Sequence, residues 1–258
     1  MSERTGDGAK RWLLPAALVA ALVALWQLAA QSGAISDALR LEDFLVPAPS
    51  EIATTLWEDR EVLADNAWVT LQEVVLGFLL ALAVGLSFAV ALHLSPTLRR
   101  AFYPLIVASQ TIPIIVVAPI LVVWFGYGIG PKLAIIALIC FFPIAINTLD
   151  GLRSVDPDAP KMMRTLDASR RQILIRVEAP AALPYAFSGA KIAVAVAVIG
   201  AVFGEWSGSN SGLGHLMLQD NAQLETARLF AAVVVLSGMA IALFGLLALA
   251  ERRVVRWQ

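Results

Sequence analysis

YPLIVASQTIPIIVVAPILVVWF, residues 103–125, runs 23 residues without one charged side chain. A helix needs about 20 mostly apolar residues to cross the hydrocarbon core of a bilayer, so this stretch reads as a membrane span. Working outward, five more apolar runs have comparable length: Leu13–Ala30, Val74–Leu92, Leu133–Leu149, Tyr185–Trp206 and Leu229–Ala250. Backbone amides and carbonyls cannot stay unpaired in lipid, so each run is expected to be helical. The fold expected is all-α: a polytopic membrane protein of about six transmembrane helices, forming one transmembrane domain over residues 1–258. Composition agrees. Of the 258 residues, 59% are hydrophobic and 15% charged, where soluble domains carry about 25% charge, and the mean hydropathy is +0.77. The first run could instead be a secretory signal peptide, since Lys10 and Arg11 precede it and small residues end it. Its removal would leave five spans and put the chain ends on opposite sides.

Lysine and arginine oppose that outcome. Arg4, Lys10, Arg11, Arg99, Arg100, Arg153, Lys161, Arg164, Arg170, Arg171, Arg176, Arg252, Arg253 and Arg256 fall on one side of a six-span chain. Only Arg40, Arg60, Lys132 and Arg228 fall on the other. Positive charge is retained in the cytosol, so both termini are expected there. Lys191, near the inner end of span five, is expected to snorkel to the interface. A net charge of −1 implies no attraction to nucleic acid. Cys140, the single cysteine, sits in an apolar run and reads as a small buried hydrophobe.

No Asp, Glu, Lys, Arg or His lies in the middle of a span; Glu73, Lys191 and Glu205 are near span ends. Proton-coupled carriers usually hold such groups at the midplane. An intramembrane hydrolase would need a nucleophile with its base, paired carboxylates or metal ligands. The two histidines, His93 and His215, fall on opposite sides and read as interfacial residues. No G-x-x-x-x-G-K-[ST] phosphate loop is present. If the chain drives solute uphill, a partner must bind ATP and must dock on the cytosolic side.

The longest cytosolic stretch, 150–184, supplies a surface for that. Asp156-Pro157 reads as the N-cap and first position of a short helix carrying Met162, Met163 and Leu166. Ser169-Arg170-Arg171-Gln172 has the form of a capping box that opens a second helix, expected to end at about Glu178, before Pro180. The apolar stripe either packs on the protein's own helix ends or enters a groove on a partner.

This stretch resembles the cytosolic motif of binding-protein-dependent importer permeases, E-A-A-x3-G-x9-I-x-L-P. Lys161, Met162, Met163, Asp167, Val177, Ala179 and Pro180 stand at its defined positions, with the final Pro identical and Val177 a close replacement. The resemblance extends over the surrounding LRSVDPDAPKMMRTLDASRRQILIRVEAPAALPYAFSGAKIAVAVAVIGAVFGEW. It also takes in FLVPAPSEI before span two, SGSNSGLGHLMLQDNAQLET before span six and LAERRVVRW at the end of the chain. It is greatest to the nitrate, sulfonate and taurine permeases, and the outer loop resembles the branch importing thiamine-precursor pyrimidines.

That resemblance implies a MetI-like, type I ABC importer fold and no enzymatic activity in this chain. ATP and magnesium would be bound by cytosolic ATPase subunits. These would dock on Asp158, Lys161, Met162, Met163, Arg164, Leu166, Asp167, Ala168 and Ser169, with Pro180 closing the motif. It further implies a homodimer of permease subunits and an extracytoplasmic solute-binding protein. Two other classes stay open: an ion-coupled secondary carrier, and a membrane scaffold without transport activity.

For the translocation pathway the candidates are Gln110 and Thr111, one turn before Pro113, together with Asn147 and Glu205. Prolines free backbone carbonyls that are tolerated where they line a cavity, although polar groups in spans also serve simply to join helices. Span three is expected to be one helix kinked at Pro113 and Pro119. Gly200 and Gly204 form a small-xxx-small pattern suited to close helix approach, a candidate dimer contact. Ser207–Gly214 reads either as a gate-like outer loop or as a plain connection.

Overall fold

The computed structural model describes residues 7–34, 38, 40, 42 and 45–256, with side chains from Leu13 onward. Arg4, Asp43, Phe44 and Trp257 lie outside the described residues, as do the side chains of Lys10 and Arg11. Among those described, the regular elements are helices: α1 (Asp7–Gln31), α2 (Pro49–Glu58), α3 (Arg60–Leu94), α4 (Pro96–Ser109), α5 (Ile114–Phe125), α6 (Ile129–Arg153), α7 (Asp158–Thr165), α8 (Arg170–Ile173), a π-helical turn (Leu174–Glu178), α9 (Ala179–Gly208), α10 (Leu213–Gln223) and α11 (Thr226–Val254). Five stretches are long and apolar enough to cross a membrane, six if the bent pair α4–α5 is counted as one span.

Contacts gather the chain into two compact units. The first combines the chain up to Ala64 with Leu216–Val234. Here Pro49 opens α2, and the Glu51 carboxylate reaches back to accept from the Ala48 amide at 3.0 Å. Gln27 and Ser50 exchange two hydrogen bonds, tying α1 to α2. The Arg228 guanidinium donates twice to Asp220, at 2.9 and 2.7 Å, and lies 3.7 Å from Asp59. The apolar side chains of α1 from Leu13 to Leu28 are mostly exposed. That is what lipid, rather than water, permits.

The second unit, Asp65–His215 with the chain from Val235, holds the core. Its seam is made of small residues. Along α6 and α9, Gly204 faces Lys132, Gly200 faces Ile136, Gly189 faces Pro143, and Gly151 faces Tyr185. The rising numbers on one helix match falling numbers on the other, so α6 and α9 are antiparallel. Midway, Cys140 is fully buried and its thiol donates to the Ala193 carbonyl at 3.2 Å. Along α3 and α6, Gly77 faces Ile136 and Gly85 faces Ile144, so these two helices run parallel. Glycine at such positions lets backbones approach closely, and in lipid this packing replaces the hydrophobic drive between helices. Gly200 and Gly204, candidates for a dimer contact, are thus committed to α6 of the same chain.

Parallel α3 and α6 require the chain between them to return across the membrane. It does. Ile106 of α4 packs with Leu92 and Leu149 at the arginine-rich end, while Val122 of α5 and Tyr127 lie against Gly208 at the opposite end. The two helices meet at 104°, so span three is broken rather than one kinked helix. The cause is local. The amides of Gln110, Thr111 and Ile112 tighten onto Val107, Ala108 and Ser109, and Pro113 has no amide to continue the helix. Pro119, by contrast, is absorbed inside α5.

Three further expectations change. Span four is longer than its apolar run, covering Ile129–Arg153. The helix opened at Ser169 does not end before Pro180. A π-helical turn lets the Ala179 amide donate to the Leu174 carbonyl and delivers Pro180 to the first turn of α9, where no donor is needed. Lys191 pairs with Glu251 of α11 at 2.7 Å rather than reaching the interface alone.

A Cβ on Gly189 would run into the Pro143 carbonyl and Asn147, whereas one on Gly238 in α11 meets nothing within 4 Å. Gly189→Val is therefore expected to lower the thermal unfolding midpoint in detergent markedly. Gly238→Ala should leave it unchanged or raise it, consistent with about 0.5–1 kcal/mol of helix propensity.

Candidate functional site

Three groups of side chains in the second unit are candidates for function. The first is α7 and its flanks. Asp156 caps the helix start, its carboxylate accepting from the Asp158 amide at 2.9 Å. The helix ends in a Schellman turn: the Asp167 amide donates to Arg164 and the Ala168 amide to Met163, each at 3.0 Å. That turn needs a left-handed residue, and Asp167 adopts φ +59°. Asp is among the few non-glycine residues that tolerate this conformation. So Asp167 occupies the place of the motif's Gly and takes the backbone shape that glycine takes most readily. Ser169 and Gln172 form the expected capping box immediately afterwards.

Within α7, Met163 is half-buried, whereas Met162 and Leu166, four residues apart on one face, are 62% and 72% exposed. Lys161 pairs with Asp158 at 2.8 Å, both well exposed. Such a pair is worth little to stability. Arg164 and Ala168 supply turn atoms, and Pro180 lies two turns beyond the capping box, inside the continuous helix.

The second group sits where α3 ends beside the π-helical turn. Glu178 is buried; its Oε1 accepts from Arg170 Nη1 at 2.6 Å, and its Oε2 lies 2.9 Å from His93 Nε2. Arg170 Nη2 lies 2.8 Å from the same His93 nitrogen. A proton on Nε2 donates to the carboxylate; a lone pair there accepts from the guanidinium. The ring can serve either neighbour in turn.

The third group lies at the opposite end. The Glu205 carboxylate is 1% exposed. It accepts from the Thr70 hydroxyl at 2.6 Å and from the Gly214 and His215 amides that open α10. Thr70 also accepts from the Leu213 amide, and Asn66 from that of Gly212, both at 2.8 Å. These are the orphan amides of a helix start, and a carboxylate is favoured there. Beside them Lys132 donates to Glu73 at 2.5 Å and to Ser209 at 2.6 Å. The run 207–214 is therefore a tied turn between α9 and α10. Gly212, at φ +107°, passes so close to Glu205 that a side chain there would collide with the carboxylate.

The pathway candidates are not brought together. Gln110 and Thr111 are exposed at the break of span three, and Gln110 lines a cavity of about 450 Å³ with Ser109, Pro113, Val117, Leu138 and Ile139. Asn147 is half-buried and donates to the Pro143 carbonyl of its own helix at 2.7 Å. Glu205 is buried, and its carboxylate is taken up by the α10 amides and Thr70. Sequence reasoning missed the roles of Asn66, Thr70, Glu73, Lys132, Arg170 and Glu178. The only signal was the pair of lone charges, Glu73 and Lys132, at the ends of apolar runs.

Residues 77–256 match the family described as binding-protein-dependent transport system inner membrane component. A probable ABC transporter permease protein of Haemophilus influenzae is 38% identical, over 91% of this chain and 93% of its own length. The formylaminopyrimidine transport permease protein ThiX of Halalkalibacterium halodurans is 34% identical, over 92% of each. A chain in an inward-facing structure of the MetNI methionine ABC transporter superposes with a TM-score of 0.63 at 22% identity, covering 76% of this chain and 96% of that one. The MetI-like fold is thereby established.

Removing the Glu205 carboxylate would strand the Thr70 hydroxyl and two buried amides. Glu205→Ala is expected to cost about 2–3 kcal/mol, read as a lowered unfolding midpoint. Glu205→Gln, which keeps an acceptor, should cost less.

Proposed function

Since this chain belongs to the family of binding-protein-dependent transport system inner membrane components, we propose that it is a multi-pass permease working as follows. Two copies enclose a pathway, and α7 of each seats in a cytosolic ATPase subunit that binds ATP and magnesium. A binding protein delivers a small organic solute from outside. Both chain termini and the 150–184 segment are cytosolic, and ATP binding in the partner moves α7. The similarity to a formylaminopyrimidine permease over 92% of both chains favours a pyrimidine or similar vitamin precursor, with sulfonates or taurine as the competing class.

One observation carries this reading: α7 is capped at both ends and presents Met162 and Leu166, exposed, on one face. An apolar face on a short, shape-fixed helix is suited to a groove on a partner. The departures from the family motif do not undo it. Asp167 keeps the turn, and Lys161 is neutralised in place by Asp158. The cavity at the broken third span, with its amide and hydroxyl, supports Gln110 as a pathway residue.

The test is co-expression with an ABC ATPase and a solute-binding protein from the same organism, followed by uptake into proteoliposomes of formylaminopyrimidine and of taurine. ATP-dependent uptake of the pyrimidine is expected. Met162→Glu with Leu166→Glu should abolish co-purification of the ATPase, while Asp167→Gly keeps it. Undiminished ATPase binding by the double variant would remove α7 as the docking helix.

A further inference from the structure

We propose that Arg170, Glu178 and His93 are positioning residues that pass movement of α7 into α3, and that α3 carries it to the tied turn at 209–215. This rests on the reading of α7 as the ATPase-docking helix.

The link begins at the end of α7. Four hydrogen bonds fix the joint between α7 and α8: two in the Schellman turn and two in the Ser169–Gln172 box. A joint held this way turns as a piece, so Arg170, the first residue of α8, follows α7. Its guanidinium donates to Glu178 and lies 2.8 Å from His93 Nε2, the nitrogen that also faces Glu178. Glu178 and His93 are 6% and 9% exposed, and His93 Nδ1 is buried without a partner. Burying a carboxylate, and leaving a ring nitrogen unpaired, both cost stability. A cluster that costs stability at a joint between a cytosolic segment and a membrane helix is better accounted for by position than by folding.

From His93 the path is one unbroken helix. α3 runs from Arg60 to Leu94 without an internal proline. Between His93 and Thr70 lie 23 residues, about 35 Å at 1.5 Å per residue. At its far end α3 presents Asn66, Thr70 and Glu73, spaced i, i+4 and i+7 on one face. These three hold the Gly212 amide, Glu205 with the Leu213 amide, and Lys132. Between the two polar clamps α3 meets its neighbours through apolar and small residues, Gly77 and Gly85 on α6 and Phe88 on Phe102 and Phe141. Among the described residues, the polar clamps from α3 to other elements thus sit at the two ends of the rod. Rotation or translation of one end must appear at the other, or a clamp must break.

The experiment uses the full complex with its ATPase, in a Cys140→Ala background carrying Asn210→Cys in the exposed part of the turn. Maleimide labelling of residue 210 is timed with and without Mg-ATP and vanadate, so no transported solute is needed. ATP trapping is expected to change the labelling rate in the parent by about fivefold or more. Arg170 is 40% exposed, so Arg170→Ala cuts the link with little loss of packing. It should keep ATPase co-purification and hydrolysis while the change at residue 210 disappears. Arg170→Lys, which restores a cation, should recover part of it, and His93→Ala should behave as Arg170→Ala does. Lys191→Ala, which breaks the unrelated α9–α11 ion pair, should leave the response intact. The proposal is overturned if Arg170→Ala and His93→Ala retain the full response, or if response and ATPase binding fall together. A parent complex that binds no ATPase would instead overturn the docking assignment of α7, and this proposal with it.

Discussion

Close approach of α6 to its two neighbours is the contact on which the remaining structure depends. Lipid is as apolar as leucine, so burying leucine between helices gains little there; small residues that let backbones touch gain dispersion contacts instead. Gly77, Gly85, Gly151, Gly189, Gly200 and Gly204 supply that approach. The directions of the other helices follow. With α3 parallel and α9 antiparallel to α6, the chain between α3 and α6 has to cross once more. Its crossing point is where Pro113 interrupts the helix.

The buried charges of this packed unit, among the described residues, lie at its two ends, and there they are paired or hydrogen-bonded. Glu73 with Lys132, Glu205 with the α10 amides, and Glu178 with Arg170 and His93 each bury a carboxylate that would be costly alone. The pairings join different helices, so each fixes a relative position that apolar packing would leave free to slide. The α7 segment hangs from one of these ends by a hydrogen-bonded joint, and the tied turn before α10 closes the other.

Much of this was legible in the sequence, because spans are read from length and apolarity alone. Caps were legible too: Asp156 and Ser169 act as their local spacing predicts, since a cap is made within four residues. What escaped reading was non-local or conditional. Thr70 and Glu205 are 135 residues apart, and His93 and Glu178 are 85 apart; nothing in either neighbourhood announces the other. The hydrogen bonds of Glu205 to Thr70 and to the α10 amides are for the same reason invisible in its own neighbourhood. Proline was misjudged in both directions. Pro113 ends a helix because the preceding turn tightens onto i−3 carbonyls, while Pro180 is accommodated because a π-helical turn shifts the register. Gly200 and Gly204 were read as a contact surface correctly, but with the wrong partner.

The parallel arrangement of α3 and α6 is tested most directly by which face of the membrane each end of the α4–α5 pair reaches. In a Cys140→Ala chain, single cysteines are introduced as Leu98→Cys, Tyr127→Cys and Thr165→Cys, and labelled with an impermeant maleimide in intact spheroplasts and in inverted vesicles. Residues 98 and 165 are expected to label only in inverted vesicles, and residue 127 only in spheroplasts. Labelling of residues 98 and 127 from the same face would make the pair a re-entrant loop and contradict the account.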